Sequence, residues 1–146
     1  SDFLREMYPR LVKWNQWWFR ERDFDGDGVV QYNHYWDGGW DNNPIFDHGL
    51  PVEAADLNVH LVLQMDVLSE MADCLGRPDE ARAWREQADR LCERLLPHSY
   101  DPSAGRFRSP QSGTHREVKS NSLVALMPLL LAHRLPAEVR DALAGL

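Results

Sequence analysis

The feature that most constrains the fold of this chain is a pair of apolar helical stripes separated by a short turn. The first stripe is Leu57, Leu61, Met65, Leu68, Ala72 and Leu75, and the second is Ala81, Trp84, Ala88, Leu91 and Leu95. Recurrence at every third or fourth residue is typical of one buried helix face. Gly76 suits the end of the first helix, and Pro78 suits the first turn of the second. The pattern predicts an antiparallel helical hairpin.

Further helices are predicted on both sides of this hairpin. A helix from Leu11 to Arg22 carries its apolar residues at helical spacing, and Pro9 fits its first turn. Asp56 is predicted to be the N-cap of the first hairpin helix, because a carboxylate there accepts from free backbone amides.

The C-terminal third is predicted to be a loop followed by helix. Residues 97–117 are loop-like, with one brief extended stretch at "RFRS". Ser120 or Asn121 is predicted to cap a helix that runs to about Arg134, and Pro136 to open a final short helix. The expected fold class is therefore all-α, with long polar loops that are usually functional in compact domains.

Composition excludes several classes of protein. The chain has 146 residues, 43% of them hydrophobic, and a formal net charge of -7. Nucleic-acid binding needs clustered Lys and Arg, so no nucleic-acid partner is expected. No apolar run reaches the roughly 20 residues of a membrane span, so no membrane partner is expected either. The first residues show no signal peptide and no initiator Met. We expect a cytoplasmic protein, of which this chain is a piece.

An acidic turn, "DFDGDG", follows the first predicted helix. Asp23, Asp25, Asp27 and Gly28 match the first half of a calcium loop, in which alternate carboxylates precede a glycine at the sharp turn. The second half does not match, because His34 stands where a bidentate Glu is expected. Two interpretations stay open here: a structural calcium site at the three aspartates, or turns in which the carboxylates accept from nearby backbone amides.

The segment "WDGGWDNNPIFD" mixes indoles, carboxylates and glycines between two helical regions. A simple connector needs turn residues but not large aromatics. Trp36 and Trp40 suit either a core or the C–H face of a sugar ring. Asp37, Asp41 and Asp47 alternate with them, and a carboxyl group beside an indole can be held protonated as a general acid. The alternative is that these aspartates only satisfy turn amides, and spacing does not separate the two.

Two stretches together resemble the catalytic domain of glycoside hydrolase family 63. They are "HYWDGGWDNNPIFD" and "DLNVHLVLQMDVLSEMADCLG", and the preceding "WWFRERDFDGDG" also looks like the helix and acidic turn of that family. The closest likeness is to the bacterial branch that is similar to mannosylglycerate hydrolases and processing α-glucosidases. A more distant one is to trehalases, whose "ESGWD" and "VDLN" signatures align with "DGGWD" and "ADLN" here.

The resemblance implies part of an (α/α)6 toroid that hydrolyses an α-linked sugar with inversion of configuration. In such families the aspartate of "GWD" is the general acid, which corresponds to Asp41. The substrate-binding residues implied around it are Trp36, Asp37, Trp40 and Asn42. A small carbohydrate or glycoside is the expected substrate, and no cofactor is required.

The sequence departs from the family pattern in two respects. Ile45 stands where relatives often carry Arg, and the family's general base is a glutamate far downstream of this chain. We therefore expect residues 1–146 to be one incomplete catalytic segment, with an active-site loop at about 23–55 and the remainder of its own barrel as partner. The segment alone should be inactive and prone to associate, since its helix faces lack their neighbours. The alternatives are a non-catalytic helical scaffold and a calcium-stabilised carbohydrate-binding module.

Overall fold

A computed structural model of the chain describes residues 1–117 and 120–146 and is predominantly helical, as the predicted fold class requires. The α-helices are α1 (Asp2–Glu21), α2 (Ala55–Cys74), α3 (Pro78–Ser99) and α4 (Ala137–Ala144). Shorter 3₁₀-helices lie at Tyr35–Asp37, Pro44–Phe46 and Leu123–Leu131. Two short antiparallel strands, β1 (Tyr100–Asp101) and β2 (Arg106–Phe107), follow α3.

The predicted hairpin of α2 and α3 is confirmed and forms the core. Leu61, Leu68 and Ala72 of α2 are buried, as are Ala81 and Ala88 of α3. Gly76 has a φ of 72°, and beyond it the Arg77 amide donates to the Ala72 carbonyl at 2.9 Å. A left-handed residue at this position ends the helix and closes the turn.

Helix α1 begins nine residues earlier than predicted, at Asp2 instead of Leu11. Ser1 caps it by accepting from the Leu4 amide, and Pro9 lies inside the helix. Tyr8 connects the first turns of α1 to α3. Its hydroxyl donates to Glu80 at 2.8 Å and accepts from the Trp84 indole at 2.9 Å. These contacts to α3 are tertiary, so periodicity within α1 could not indicate them.

The start of α2 also differs from the prediction. Ala54 is at the N-cap position with no side-chain cap, and the helix begins at Ala55. Asp56 is therefore inside the first turn, where its carboxylate points into the protein and is not a cap. Its partners are described with the candidate site.

The segment predicted to be a helix from Ser120 or Asn121 to Arg134 is instead a 3₁₀-helix at Leu123–Leu131. Ser122 caps it, by accepting from the Val124 amide at 3.3 Å. Pro128, within this segment, lacks the N–H that a regular α-helix would use. The final short helix after Pro136 is confirmed as α4, and the extended stretch after α3 as β2.

Within the described ranges, no helix is long and apolar enough to cross a membrane.

The α2–α3 interface predicts a large effect of one core truncation. Leu68→Ala should lower the free energy of unfolding by about 2–5 kcal/mol, because Leu68 is completely buried and its removal leaves a cavity. Chemical denaturation of the chain measures this. Val67→Ala is the matched control, since Val67 is 50% exposed and should change stability by only about 0.5 kcal/mol. Equal effects of the two substitutions would contradict the assigned interface.

Candidate active site

The loop between α1 and α2 is held by a buried amide side chain on α2. Asn58 accepts from the Val30 amide at 3.0 Å, and its Nδ2 donates to the carbonyls of Val30 at 2.9 Å and Ala54 at 3.0 Å. The chain continues from Val30 to Tyr32, which pairs with Val52 through backbone hydrogen bonds of 2.8 and 3.0 Å. The two ends of the loop are thus joined to each other and to the start of α2.

A buried carboxylate on α2 holds the aromatic side of the same loop. Asp56 Oδ2 accepts from the Trp40 indole at 2.7 Å and from the Tyr32 hydroxyl at 3.1 Å. Asp56 is 0% exposed, and desolvation raises its pKa above the ordinary aspartate value, although the Trp40 hydrogen bond opposes this shift. The pKa of Tyr32 is also raised, by its own burial and by the charge of Asp56. This arrangement fixes the orientation of the Trp40 ring.

A cavity of about 410 Å³ lies against the predicted active-site segment. It is lined by Tyr35, Trp36, Gly39, Trp40, Asp41, Asn42, Asn43, Phe46 and Asp47. Aromatic faces and a few convergent polar groups are the usual make-up of a small-molecule site. The structure therefore brings Trp36, Trp40, Asp41 and Asn42, four of the five predicted sugar-site residues, to the wall of one cavity.

Asp41 is solvent-exposed at this cavity, and within the described part of the chain its carboxylate has no hydrogen-bond partner. The backbone on either side turns sharply, with φ of 63° at Gly39 and 55° at Asn42. Glycine and asparagine tolerate this left-handed region better than other residues. The tight turn leaves the Asp41 carboxylate exposed on the cavity wall, next to Trp40, whose indole is held by Asp56.

Asp37 and Ile45 have structural surroundings. Asp37 does not line the cavity, and its Oδ2 accepts from the amides of Asn33 at 2.9 Å and His34 at 3.0 Å. Its carboxylate thus caps a 3₁₀ turn, and its predicted contact with substrate stays a prediction. Ile45 is 1% exposed and packs in the core. The position where the resemblance implies Arg is therefore occupied by a core residue in this chain.

The carboxylates of the acidic turn accept mainly from backbone amides. Asp23 accepts from Gly26 at 2.9 Å and Gly28 at 3.1 Å, and Asp27 Oδ1 accepts from Val29 at 2.7 Å. Burial raises the pKa of Asp23, and the nearby Asp27 charge adds to this. The three predicted calcium ligands, Asp23, Asp25 and Asp27, have oxygens within 4.8 Å of one another. Both a turn and a cation loop are compatible with this geometry, and calcium here stays a prediction.

Two residues that hold the loop, Asp56 and Asn58, could not be assigned this role from spacing. Spacing predicts only a capping role for Asp56, and it indicates no role for Asn58 beyond its place in the "ADLN" signature. The sequence does contain one chemical signal for their role. Asp56 and Asn58 are strongly polar residues at the beginning of an otherwise apolar stripe, and polar groups that are buried there need hydrogen-bond partners. Their partners lie 16 and 28 residues earlier in the chain.

The chain is similar to known glycoside hydrolases in amino-acid sequence and in fold. Residues 1–146 match the family described as the mannosylglycerate hydrolase MGH1-like glycoside hydrolase domain. Mannosylglycerate hydrolase MGH1 of Selaginella moellendorffii is 41% identical over 46 residues, which are 32% of this chain and 9% of that protein.

Solved structures match the fold over almost the whole chain. A GH63 mannosylglycerate hydrolase of Thermus thermophilus in complex with glucose superposes with a TM-score of 0.82 at 20% identity, covering 99% of this chain and 44% of that one. The complex of a GH63 mannosylglycerate hydrolase of Thermus thermophilus with Tris and D-glycerate superposes with a TM-score of 0.78 at 18% identity. The match covers 97% of this chain and 47% of that one. This chain therefore spans less than half the length of these structures, and shares their fold as a part of an (α/α)6 barrel.

The buried Asp56 predicts a specific pH dependence of stability. Because its pKa is raised in the folded state, the folded protein binds the proton more tightly than the unfolded one. Stability then falls as pH rises from the unfolded pKa of about 3.9 through the folded-state pKa. Asp56→Asn removes this titration and can still accept from Trp40 and Tyr32.

The measurement is the denaturation free energy of wild type and Asp56→Asn across this pH range. The variant should gain stability relative to wild type as pH rises through the interval, and the difference should be constant on either side of it. Parallel pH profiles of the two proteins would contradict the assigned burial of a titrating carboxyl group.

Proposed function

Because the chain belongs to the mannosylglycerate hydrolase MGH1-like glycoside hydrolase family, we propose that it supplies the general-acid half of the active site of an inverting α-glycosidase. The observation that supports this most directly is Asp41, exposed on the wall of a cavity that two indoles also line. The family match favours this function over a non-catalytic scaffold or a carbohydrate-binding module.

In the proposed reaction, the Asp41 carboxyl group donates a proton to the glycosidic oxygen as the bond to the sugar breaks. Trp36 and Trp40 provide flat apolar faces for the C–H side of the sugar ring. Asn42, on the same wall, offers an amide that can hydrogen-bond a sugar hydroxyl. These groups bind and orient the sugar, and none of the steps requires a cofactor.

Inversion requires a second carboxylate about 6.5–9.5 Å from the acid, so that a water fits between the base and the sugar. We place this base in the part of the barrel that lies beyond this chain, as the resemblance implies. The chain alone is then expected to be inactive, and activity is expected when both halves are present.

The charge of the cavity wall suggests which part of a substrate it binds. Its lining contains Asp41 and Asp47 and, within the described residues, neither Lys nor Arg. An anionic group such as glycerate would be repelled by these carboxylates. If the substrate is mannosylglycerate, as in the named relatives, this chain holds the neutral sugar and the glycerate carboxylate is bound by the other half of the barrel.

Asp41→Asn in the full-length protein should lower kcat for mannosylglycerate by about 10²–10⁴-fold, the usual contribution of a positioned acid. Hydrolysis of the corresponding glycosyl fluoride should be much less affected, because fluoride leaves without needing a proton. Steady-state kinetics with both substrates and NMR of the first-formed anomer make the measurement. The wild-type product should have the inverted configuration.

Asp47→Asn is the matched control, since Asp47 is also an exposed aspartate on this cavity. It should lower kcat far less than Asp41→Asn. Equal losses on mannosylglycerate and on the fluoride, or a retained anomeric configuration, would rule out the proposed role of Asp41 as acid in an inverting reaction.

Trp36 predicts a binding effect. It is 86% exposed, so Trp36→Ala should leave folding intact while removing a flat apolar face from the sugar site. We expect KM to rise several-fold, with a smaller change in kcat. Trp14→Ala is the control, because Trp14 is 52% exposed but stacks on Trp17 of α1 and does not line the cavity. An unchanged KM in Trp36→Ala would exclude Trp36 from the sugar site.

A further inference from the structure

A second cluster of ligating side chains lies outside the cavity of Asp41. It consists of Asp27, Glu53, His98 and His115, each of which offers one oxygen or nitrogen within 4.8 Å of the others. The four come from separate places: the acidic turn, the segment before α2, the end of α3 and the loop at 111–116. We propose that these four side chains bind one divalent transition-metal ion, with Zn²⁺ as the best fit.

The first support is a buried carboxylate that lacks a well-formed hydrogen bond. Glu53 is 0% exposed, and among residues 1–117 and 120–146 neither of its carboxylate oxygens has a hydrogen-bond partner. Burying a carboxylate costs several kcal/mol unless it is paired or coordinates a metal. A cation between Glu53 and its neighbours would offset this cost.

The second support is the distance between ligand atoms. His98 Nε2 lies 2.8 Å from Glu53 Oε2 and 3.3 Å from Asp27 Oδ2. His115 Nε2 lies 3.6 Å from Asp27 Oδ2 and 3.9 Å from Glu53 Oε2. Ligands of a tetrahedral zinc, with bonds of about 2.0–2.1 Å, are roughly 3.3 Å apart. The four observed distances lie on both sides of that value.

Hydrogen bonding alone does not account for the closest pair. His98 Nε2 and Glu53 Oε2 are within 2.8 Å, yet in the described part of the chain both atoms lack a hydrogen bond of acceptable geometry. The two groups are therefore close but misaligned, and a hydrogen bond weakens steeply when it is misaligned. Atoms that lie close without pointing at each other are expected where both face a common ion.

The surroundings also resemble a metal site. His98 Nδ1 lies 2.8 Å from the hydroxyl of Ser99, which is itself buried. Such a partner at one ring nitrogen fixes the imidazole and leaves the other nitrogen free for a metal. His115 Nε2 is 3.1 Å from Asp25 Oδ2, a contact that metal binding would replace. Asp25 would keep its hydrogen bond from the Gly113 amide at 3.0 Å.

The donor set decides between cations. Calcium binds oxygen ligands, six to eight of them, whereas this cluster offers two imidazole nitrogens and two carboxylates. Imidazole and carboxylate in a tetrahedral arrangement suit zinc. The site is therefore distinct in chemistry from the calcium loop predicted at Asp23, Asp25 and Asp27, although Asp27 belongs to both sets.

A metal here would have a definite structural role. Asp27 lies near the start of the 23–55 loop and Glu53 near its end, while His98 ends α3. One ion would thus join both ends of the active-site loop to the hairpin core. Binding to the folded state alone raises stability in proportion to the logarithm of metal concentration over Kd.

The test uses the full-length protein, stripped with a chelator and titrated with Zn²⁺ and separately with Ca²⁺ by calorimetry. Thermal melting is followed in parallel, and Co²⁺ replaces Zn²⁺ to give the intense visible absorption of a tetrahedral site. We expect one Zn²⁺ per chain, an increase in melting temperature and that Co²⁺ spectrum.

His115→Gln is the main variant, because His115 is half-exposed and the protein should fold without it. Loss of a residue that only hydrogen-bonds a metal ligand typically weakens metal binding by about 10–100-fold. Loss of the ligand His115 itself should weaken Zn²⁺ binding by at least this much. Glu53→Gln should also lose Zn²⁺ but melt at a higher temperature than the metal-free wild type, since it removes a buried charge whose oxygens lack hydrogen bonds from the described residues. Asp23→Asn, outside the four, should bind Zn²⁺ normally.

Three results would overturn the proposal. One is the absence of stoichiometric Zn²⁺ binding. Another is Zn²⁺ binding that both His115→Gln and Glu53→Gln leave unchanged. The third is a preference for Ca²⁺ that Asp23→Asn abolishes and His115→Gln does not affect, which would assign this corner of the protein to the acidic turn alone.

Discussion

The structure of this chain depends on two buried polar side chains in the first turn of α2. Asp56 holds Trp40 and Tyr32, and Asn58 holds the backbone at Val30. Each is 0% exposed, so each would destabilise the fold if its partners were lost. Because the helix that carries them is fixed in the hairpin core, the loop is fixed as well. A long polar loop thus acquires a defined path without much secondary structure of its own.

The middle of the loop and its two ends have different surroundings. Its middle forms the cavity, where Asp41 stays exposed and Trp40 is held from behind. Its two ends meet beside α3, where Asp27 and Glu53 approach His98 and His115. The charged side chains at the ends of the loop therefore contact α3, while the Asp41 carboxylate in the middle stays exposed at the cavity. Catalytic groups on a loop that rigid elements position are a common solution.

The hairpin and the final helix could be predicted because their signals are local. Apolar spacing, Gly76 and the prolines at 78 and 136 each act within a few residues. The beginning of α1 could not, because Tyr8 is held by side chains of α3, more than 70 residues away. The 3₁₀ geometry of Leu123–Leu131 was also missed, since an apolar run with one proline fits several helical forms.

For the site, the amino-acid sequence by itself determined which chemical groups are available. The indoles and carboxylates of "WDGGWDNN" and the family to which they point follow from residue types and their order. Only the tertiary structure decided which groups meet. In the folded chain Asp41 lies on a cavity, Asp37 caps a 3₁₀ turn and Ile45 is buried. The fold also brings together four ligating side chains: Asp27, Glu53, His98 and His115. The reason is physical: hydrogen bonds and burial between distant segments depend on three-dimensional packing, which the spacing of residues along one helix or loop does not encode.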